Sequence, residues 1–476
     1  WQVRVCDAIL RGQDVISLAA TGSGKTLTFW MLLLFRPRGI QIIVTPLNIL
    51  GEQNTELLSK LGIEGIFISA KTATEWNFRL IASLQYRAII VNPEELMRPK
   101  GGFEKLLSDK TFNNHIISIV IDEAHCISQW GTFRPEYREI GRLRYLQRKL
   151  CPILATSATM SAGVIDDVKK VLRLREESLF ISRCSTDRTN IKILVRPILN
   201  PIRTFRDLSF LLCNWKFGDP PPPKFLVFFD NINESVLAGL FLRSLLPKDQ
   251  HHRIKWFNSE MSDRFKRNET GRLARGETWG LMATDSFGMG MDLPDIAIVI
   301  QWCATPSISA LWQRFGRCAR DPTLQGTAII FAEKEYFDVL ANEKKKRKRN
   351  LHSIKIEPGT SSTAKQARLG PSTSRSAASR DHEASDEEEG EEDEEDEKEE
   401  EDDEDEKEDE KGKEKKKKPS TYSRKKSKKE KIEPAIFVLL NADSRGVSCR
   451  RQPFSDQFEN TKASEFCVCD CMYTFV

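Results

Sequence analysis

The sequence has no hydrophobic run long enough to cross a membrane. Its longest unbroken apolar stretch, Phe29 to Phe35, is far shorter than the roughly 18 residues that a membrane-spanning helix needs. This absence argues against a helical membrane protein. We therefore expect a soluble chain with no membrane partner.

Cysteine is scarce and scattered. Eleven cysteines are spread over 476 residues, and most of them stand alone in the sequence. The dense disulfide framework of a small secreted domain is therefore excluded, and a reducing, intracellular compartment is indicated. We expect no structural disulfide bonds.

The chain also has little net charge, but its charges are strongly segregated. It carries 73 basic and 69 acidic side chains, and the difference gives a formal net charge of +4. A basic run from Lys344 leads into a Ser/Thr-rich stretch, then into the almost entirely acidic residues 386–410, and then into a lysine-rich stretch that ends at Lys431. Because such segments cannot form a hydrophobic core, we predict that residues 344–432 are a disordered linker.

The charged linker has two further interpretations. Its basic runs, residues 344–349 and 415–431, are similar to nuclear-import signals, so we expect a nuclear location. The acidic run is either a solvated stretch or a mimic of nucleic acid that competes for a basic cleft in the rest of the chain. The solvated stretch is favoured, because charge runs usually face water.

Short β-branched runs alternate with longer helical patterns in two successive blocks. A linker region that ends in Pro220 to Pro223 separates the blocks. This alternation predicts an α/β protein with two tandem parallel-sheet lobes, residues 1–190 and 191–343, followed by the linker and a small cysteine-containing tail, residues 433–476. The predicted strands are Val15–Leu18, Ile40–Thr45, Gly65–Ile68, Ala88–Val91, Ile117–Ile121, Ile153–Ala155, Phe225–Phe229, Ile254–Phe257, Gly280–Ala283, Ile296–Ile300 and Thr327–Phe331.

A glycine-containing segment follows the first predicted strand and precedes a helical pattern. It reads Ala19-Ala20-Thr21-Gly22-Ser23-Gly24-Lys25-Thr26. The glycines permit a tight loop whose amides point inward, Lys25 can reach the β- and γ-phosphates, and the hydroxyl of Thr26 can bind Mg²⁺. The segment therefore predicts a site for ATP and Mg²⁺.

Two adjacent carboxylates follow the predicted strand Ile117–Ile121. Asp122 and Glu123 should emerge at the carboxyl edge of the sheet, where open α/β sheets bind their ligands. Transfer of a phosphoryl group to water needs one carboxylate to hold the metal and another to orient or deprotonate the water. We predict the first role for Asp122 and the second for Glu123.

Two arginines in the second block are spaced to share one side of a helix. Arg317 and Arg320 stand three residues apart, in the segment that begins at Gln313. A guanidinium from the second lobe can neutralise charge that develops on the γ-phosphate, and it would make hydrolysis depend on closure of the lobes. In isolation, the segment fits a solvated basic helix face better.

Taken together and in this order, these segments resemble the superfamily-two helicases, and several details are similar to the RecQ branch. The resemblance covers about residues 1–342. It implies two RecA-like lobes and a DEAH box at residues 122–125. It also implies nucleotide contacts for Gln2, Asp292 and Gln313. Nucleic-acid binding or coupling between the lobes is implied for a further set: Thr45, Pro46, His125, Ser157, Thr159 and Thr284.

The segment after the DEAH box resembles the aromatic-rich loop that distinguishes RecQ proteins from DEAD-box RNA helicases. In this loop, which spans residues 126–137, the resemblance implies nucleic-acid contacts or coupling for Gln129, Trp130, Phe133 and Arg134. The aromatic rings can stack on bases while the guanidinium reaches a phosphate. The family has His-Asp where this chain has only Thr132, so coupling can be altered. Alternatively, the aromatic side chains simply pack under the loop.

The tail resembles the zinc-binding module that follows the second lobe in RecQ proteins, with departures. Its cysteines are Cys449, which opens a Cys-Arg-Arg motif, and Cys467, Cys469 and Cys471. The last three are each separated by one residue instead of the family's two. Since zinc needs sulfurs at about 2.3 Å in a tetrahedron, the shorter spacing must bend to bind it. The tail either binds Zn²⁺ through these cysteines or is degenerate and carries free thiols.

The resemblance implies a DNA-stimulated ATPase that separates the strands of duplex DNA, moving 3′ to 5′, in repair or recombination. Its partners would be single-stranded DNA and duplex junctions. One alternative is an RNA helicase or remodeller. Another is a nucleic-acid-binding relative whose ATPase is uncoupled. The aromatic-rich loop favours DNA, and the presence of Lys25, Glu123 and both arginines favours an active enzyme.

Overall fold

The computed structural model describes residues 1–147, 149–287, 293–305, 307–340, 432–447 and 449–460. Within these ranges the chain forms two lobes, each built on a parallel β-sheet with helices packed against it. A short C-terminal segment packs on the second lobe. The fold class that the sequence predicts is therefore confirmed.

The first lobe contains a seven-stranded sheet in the order β3-β4-β2-β5-β6-β1-β7, in which all pairs are parallel. Most of its strands are buried along their whole length, because helices pack on the sheet, and such strands consist of continuous β-branched runs. The last strand, β7, was not among the predicted strands. The strands are β1 (Asp14–Leu18), β2 (Ile40–Val44), β3 (Gly65–Ile68), β4 (Ala88–Val91), β5 (Ile116–Ile121), β6 (Ile153–Ser157) and β7 (Leu179–Arg183).

Eleven α-helices accompany this sheet within the described residues. They are α1 (Gln2–Leu10), α2 (Leu27–Phe35), α3 (Asn48–Lys60), α4 (Glu75–Ala82), α5 (Pro93–Met97), α6 (Gly102–Ser108), α7 (Lys110–His115), α8 (Cys126–Gln129), α9 (Glu136–Glu139), α10 (Leu143–Leu146) and α11 (Ala162–Leu172). Side-chain caps start two of them: Thr74 accepts a hydrogen bond from the amide of Asn77, and Asp109 accepts one from the amide of Phe112.

A buried ion cluster anchors the start of β1. Asp14 is fully buried and accepts hydrogen bonds from Arg144 at 2.5 Å and from Arg175 at 3.0 Å. Burial alone would raise the pKa of Asp14, but the hydrogen bonds from Arg175 and Arg144 outweigh it and lower the pKa to about 2. The strand that leads into the glycine-containing loop is therefore tied to two distant arginines.

The second lobe contains a six-stranded parallel sheet in the order β10-β11-β9-β12-β13-β8. Its strands are β8 (Ile191–Pro197), β9 (Phe225–Phe228), β10 (Ile254–Phe257), β11 (Gly280–Ala283), β12 (Ile298–Trp302) and β13 (Gly326–Ala332), and its helices are α12 (Ile232–Ser244), α13 (Asp263–Ala274) and α14 (Ile308–Phe315). The sequence did not reveal β8. Because β8 already belongs to this sheet, the proline run at 220–223 is a loop inside the second lobe and not the linker between lobes. Residues 184–190 connect β7 to β8, and we name them the interlobe linker.

The C-terminal segment, residues 432–460 as far as they are described, contains α15 (Pro434–Leu440) and α16 (Gln452–Gln457). It packs on the second lobe rather than standing apart as a separate module. Ile436, Leu439 and Phe454 are buried in the same cluster as Leu311 and Phe315 of α14. The apolar residues of the tail thus complete the core of the second lobe.

No helix among the described residues is both long and apolar enough to cross a membrane. The longest ones, α3 and α12, have 13 residues each. A span of the hydrocarbon core takes about 20 residues of helix.

Candidate active site

The glycine-containing loop lies between β1 and α2, as the sequence predicts for a phosphate-binding loop. Gly22 and Gly24 have φ angles of 82° and 81°, a left-handed conformation that suits glycine. The ammonium of Lys25 donates to the carbonyl oxygens of Ala19 at 3.0 Å and Ala20 at 3.1 Å. Burial lowers the pKa of Lys25, because the charged form is poorly solvated there. A nearby anion would stabilise this charged form.

Gln2, the predicted adenine contact, lies against this loop. Its side-chain amide donates to the carbonyl oxygen of Gly24 at 3.0 Å. A Cβ atom at Gly24 would stand only 2.7 Å from that amide nitrogen and would push the Gln2 side chain aside, so the glycine permits this contact. The structure therefore brings Gln2 to the phosphate loop, and its adenine contact stays a prediction.

The predicted acidic pair follows β5 at the carboxyl edge of the first sheet. Glu123 adopts a φ of 49°, and its amide donates to a carboxylate oxygen of Asp122 at 3.0 Å. Burial, together with the charge of Glu123, raises the pKa of Asp122. Burial also raises the pKa of Glu123. The hydrogen bond and charge of His125 and the charge of Lys25 have the larger effect, so the pKa of Glu123 is lowered. The pKa values of the two carboxyl groups are thus shifted in opposite directions. A cation bound at Asp122 would favour the ionised form of that carboxyl group.

One carboxylate oxygen of Glu123 is available for a further partner. Oε2 is buried and makes no hydrogen bond to any described residue, although Nδ1 of His125 lies 3.3 Å away. Buried polar atoms are normally satisfied by protein or by water. An acceptor at this edge of the sheet is what a reacting water requires.

Arg317 and Arg320 do not lie on a helix, and that prediction is wrong. Helix α14 ends at Phe315, and both arginines follow it in an irregular segment in which Ala319 has a φ of 40°. Both nevertheless face the first lobe, because their charges act on Lys25 and the charge of Glu123 acts on Arg317. The solvated-face alternative does not apply to Arg317, which is only 7% exposed.

The electrostatics of this meeting point favour an anionic ligand. Burial and the like charge of Arg320 lower the pKa of Arg317. The Nε atom of Arg317 is buried and has no hydrogen-bond partner among the residues that the structure describes. Three cationic groups, Lys25 and the two arginines, therefore converge from two lobes on one acidic edge.

The predicted coupling residues form a hydrogen-bonded chain between the lobes. Nδ1 of His125 lies 2.8 Å from the hydroxyl of Ser157, which also accepts from the amide of Thr159 at 3.1 Å. From the second lobe, the amide nitrogen of Gln313 lies 2.8 Å from Nε2 of His125 and 2.8 Å from the hydroxyl of Thr159. The structure thus brings Gln313 to the coupling residues, and the predicted nucleotide contact is not tested.

Arg134 holds the aromatic-rich loop in place through hydrogen bonds to other parts of the first lobe. The Arg134 guanidinium donates to both carboxylate oxygens of Glu94, at 2.5 and 2.9 Å, and to the carbonyl oxygen of Pro46 at 2.8 Å. It also lies 5.3 Å from the ring centroid of Trp130. Phe133 is 65% exposed. Arg134 is therefore a brace of the loop in this structure, and Phe133 is the ring that solvent or a base can reach.

A cleft between the lobes opens beside this loop. It has a volume of about 400 Å³. Its walls come from strand-end segments of the first lobe and from the second lobe, and they include Pro46, Asn48, Glu52, Asn92, Arg134, Ser259, Asp263, Lys266, Arg267 and Ser286. Thr284 lies next to it and shares a hydrogen bond of 3.1 Å with Ser286, whereas the hydroxyl of Thr45 is buried.

Gln129 and Trp130 line a second, smaller cavity of about 70 Å³ with residues of the second lobe. One of these is Arg314, which the sequence pattern did not single out. It is 5% exposed and donates to Asp230 at 2.7 Å and to Asp285 at 2.9 Å. The basic segment at 313–320 was the available signal, but only the fold separates the buried structural arginine from those that face the other lobe.

Not all predicted site residues can be placed. Asp292, Cys467, Cys469, Cys471 and the charged linker lie outside the described residues. No cluster of three or more potential metal-binding side chains occurs in the described ranges. Cys449 is disulfide-bonded, contrary to the expectation of no disulfides, whereas seven other described cysteines are free thiols.

Two protein families match the chain. The DEAD/DEAH box helicase family matches residues 1–168, and the helicase conserved C-terminal domain matches residues 211–322. The first match contains the phosphate loop and the acidic pair. The second contains Arg317 and Arg320.

Two relatives have similar sequences over most of this chain. It is 29% identical over 343 residues to the putative ATP-dependent DNA helicase Q1 of Caenorhabditis briggsae, an alignment that covers 69% of this chain and 52% of that protein. It is 28% identical over 339 residues to the ATP-dependent DNA helicase RecQ of Haemophilus influenzae, with 70% and 50% covered. The chain spans about half the length of these two relatives.

The fold is also found in solved structures. The helicase MrfA bound to DNA and AMPPNP matches with a TM-score of 0.58 at 16% identity, covering 73% of this chain and 50% of that one. At this identity the likeness concerns the arrangement of the two lobes. It supports the fold alone.

Proposed function

We propose, from the premise that this chain is a RecQ-like superfamily-two helicase, that it hydrolyses ATP to separate the strands of DNA. The proposal includes single-stranded DNA and duplex junctions as partners, movement 3′ to 5′, and a role in repair or recombination. The names of the relatives support the choice of DNA, and the direction rests on the family resemblance.

One observation carries the ATPase part of this proposal. Arg317 of the second lobe is buried against the edge of the first lobe that holds Lys25 and Glu123. Such an arrangement concentrates positive charge where an anion must be neutralised, and it exists only while the lobes are together. Hydrolysis of ATP is thereby linked to lobe closure.

The residues present fit ATP and Mg²⁺. The hydroxyl of Thr26 and the carboxylate of Asp122 would hold Mg²⁺, which would neutralise phosphate charge. Glu123 orients the water and accepts its proton at the buried Oε2. Lys25, Arg317 and Arg320 hold the phosphates, and water is excluded when the lobes close.

The cleft between the lobes is the proposed path of one DNA strand. Lys266 supplies positive charge on one wall, Arg267 beside it pairs with Glu52 at 2.9 Å, and Phe133 is an exposed ring at the aromatic-rich loop nearby. Because Arg134 links this loop to Glu94 and Pro46, a strand that displaces any of these groups would alter the loop next to the DEAH box. This supplies a route from DNA occupancy to the acidic pair.

A binding-only relative with an uncoupled ATPase is the second candidate. The observation that favours it is Arg134, whose guanidinium is already occupied by Glu94 and Pro46. If DNA cannot displace these partners, it cannot stimulate hydrolysis. An RNA helicase or remodeller differs from both candidates in the polymer that stimulates its ATP hydrolysis, which would be RNA instead of DNA.

Two finer proposals concern zinc and location. Cys449 with Cys467, Cys469 and Cys471 would bind Zn²⁺, and because thiolates are the ligands, Cys449 must first be reduced. Elemental analysis of the reduced protein decides this: about one zinc per chain supports the site, and the absence of zinc refutes it.

A nuclear location is proposed from the basic runs, and deletion of residues 415–431 should reduce import.

Strand displacement tests the proposed function. The chain is mixed with ATP and partial duplexes of DNA or RNA that carry a 3′ or a 5′ overhang, beside Glu123→Gln. We expect separation of the DNA duplex with the 3′ overhang and none with the variant. ATP-dependent separation of RNA alone would establish the RNA alternative, and DNA binding without any separation would establish the binding-only one.

A further inference from the structure

The interlobe linker, residues 184–190, is held by one arginine of the C-terminal segment. Arg451 is 2% exposed, and its guanidinium donates to a carboxylate oxygen of Asp187 at 2.6 Å and to the carbonyl oxygen of Arg188 at 2.9 Å. It also donates to the carbonyl oxygen of Ile191, the first residue of β8. A single buried side chain therefore fixes the end of the linker at three points.

Other residues of the same segment contact the linker at Thr186. The side-chain oxygen of Asn460 accepts from the amide of Thr186 at 3.1 Å. The indole of Trp312, on α14, donates to the carbonyl oxygen of Thr186 at 3.2 Å, and its ring lies 4.6 Å from that of Phe454. The C-terminal segment, the linker and α14 thus form one packed unit.

The linker in turn contacts the segment that carries the two facing arginines. Arg188 donates to the carbonyl oxygens of Ala319 at 2.5 Å and Cys318 at 3.2 Å, and Asn190 donates to that of Ala319 at 2.8 Å. Arg188 also reaches the carbonyl oxygen of Thr21 in the phosphate loop at 3.4 Å. The linker therefore touches both halves of the proposed ATP site.

The contact at Ala319 bears on the geometry of the site. Its φ of 40° is a conformation that a non-glycine residue adopts only when its surroundings hold it. Ala319 stands between Arg317 and Arg320, so its backbone conformation affects the directions of both. Its amide donates to the carbonyl oxygen of Ile296 at 2.8 Å, and the two linker donors on its carbonyl oxygen add to this restraint.

We infer that Arg451 is a positioning residue for the ATP site: through Asp187 and the interlobe linker, it holds Arg188 where that side chain fixes the backbone between Arg317 and Arg320. The inference rests on the proposed ATPase and adds the C-terminal segment to it. Buried ion pairs contribute little net stability compared with apolar packing, and in some proteins they serve to fix one arrangement of their neighbours. The Arg451–Asp187 pair, at 2% and 6% side-chain exposure, fits a positioning role.

A neighbouring arginine offers a matched control. Arg450 is also buried, and it donates hydrogen bonds to the carbonyl oxygen of Leu439 and to the carboxylate of Asp443, both within the C-terminal segment. Arg450→Met and Arg451→Met each remove one buried guanidinium from the same turn. Only Arg451→Met removes the described bonds to the linker.

Steady-state kinetics compare the two variants in the full chain. We expect Arg451→Met to lower kcat of DNA-stimulated ATP hydrolysis roughly 10²-fold with little change in KM for ATP, because misplaced catalytic groups cost rate more than binding. Arg450→Met should keep kcat close to the unmodified chain. Asp187→Asn, which weakens the pair from the linker side, should lower kcat in the same direction. Equal kcat values for the two arginine variants would overturn the inference.

Hydrogen exchange separates failure of this inference from failure of the proposed function. If the unmodified chain hydrolyses no ATP, the proposed function fails, but the linker contact can still be measured. Amides of residues 184–190 should exchange faster in Arg451→Met than in Arg450→Met. Equal exchange in the two variants would contradict the positioning role, whether or not the chain is an ATPase.

Discussion

The two halves of the proposed ATP site are built in different ways. In the first lobe, the phosphate loop and the acidic pair each follow directly from the end of a buried strand, β1 or β5. In the second lobe, Arg317 and Arg320 lie on an irregular segment whose backbone is held by Arg188 and Asn190 of the linker. The first half is thus local in sequence, and the second depends on long-range contacts. We expect regulation to act on the second.

The largest expected effect comes from removing one of the two arginines that the second lobe contributes to the site. Arg317→Ala should lower kcat of ATP hydrolysis about 10³-fold, the scale seen for arginines that stabilise phosphoryl transfer. KM for ATP should change much less, because the first lobe still binds the nucleotide. Arg203→Ala, an exposed arginine of the same lobe, is the control. If Arg317→Ala keeps the full kcat of the control, Arg317 takes no part in hydrolysis.

The next largest effect comes from removing Asp14, the buried carboxylate at the start of β1 in the first lobe. Asp14→Ala leaves Arg144 and Arg175 without their buried partner, at a cost of about 3–5 kcal/mol in the free energy of unfolding. Urea unfolding at neutral pH measures it, with the exposed Asp7→Ala as control. A loss no larger than the control's would show that β1 does not depend on this cluster.

The same cluster predicts a pH dependence. The pKa of Asp14 is about 2 in the folded chain, below its usual value of about 3.9 in unfolded chains. Its stabilising contribution is therefore complete above about pH 4 and is lost as the pH falls through about 2. The difference in unfolding free energy between the unmodified chain and Asp14→Ala should shrink over that window. A constant difference would contradict the assignment.

A smaller effect tests the connection between the halves. Gln313→Leu removes the bonds to His125 and Thr159, so stimulation of ATP hydrolysis by DNA should fall roughly tenfold while basal hydrolysis changes less. The ratio of stimulated to basal rate is measured. Gln452→Leu, which removes an exposed hydrogen bond to Asp456 within α16, provides the comparison. An unchanged ratio in Gln313→Leu would remove this residue from the coupling path.

The smallest effect concerns the rim of the cleft. Lys71 and Asp263 pair across the lobes at 2.9 Å, but both side chains are exposed. Exposed pairs contribute little, so Lys71→Met should leave the melting temperature close to that of the unmodified chain. A marked drop would mean that the rim, rather than the buried linker contacts, holds the lobes together.

The sequence predicts the buried strands and the edge strands β3 and β10, but it misses the edge strand at the other end of each sheet. Strands such as β2 and β4 are buried on both faces and therefore appear as continuous β-branched runs. The two missed strands, β7 and β8, lie at the sheet ends, and β8 alternates between buried and half-buried positions. Their polar residues interrupt the run on which the prediction depends.

The same division applies to the site. Lys25 and Glu123 could be predicted because each belongs to a contiguous motif at a strand end. Arg317 was identified from its spacing to Arg320. The prediction that both lie on a helix was wrong, because α14 ends at Phe315 before Gly316. The positioning role inferred for Arg451 could not be foreseen, because its partner Asp187 stands more than 260 residues away. A sequence pattern carries no record of such a contact.

Steady-state ATP hydrolysis by the unmodified chain, measured with and without single-stranded DNA, shows whether the second lobe completes the ATP site only when the lobes close on a nucleic acid. We predict slow hydrolysis by the chain alone and strong stimulation by DNA, which Arg317→Ala removes. Equal rates with and without DNA, or a stimulation that Arg317→Ala leaves intact, would contradict it.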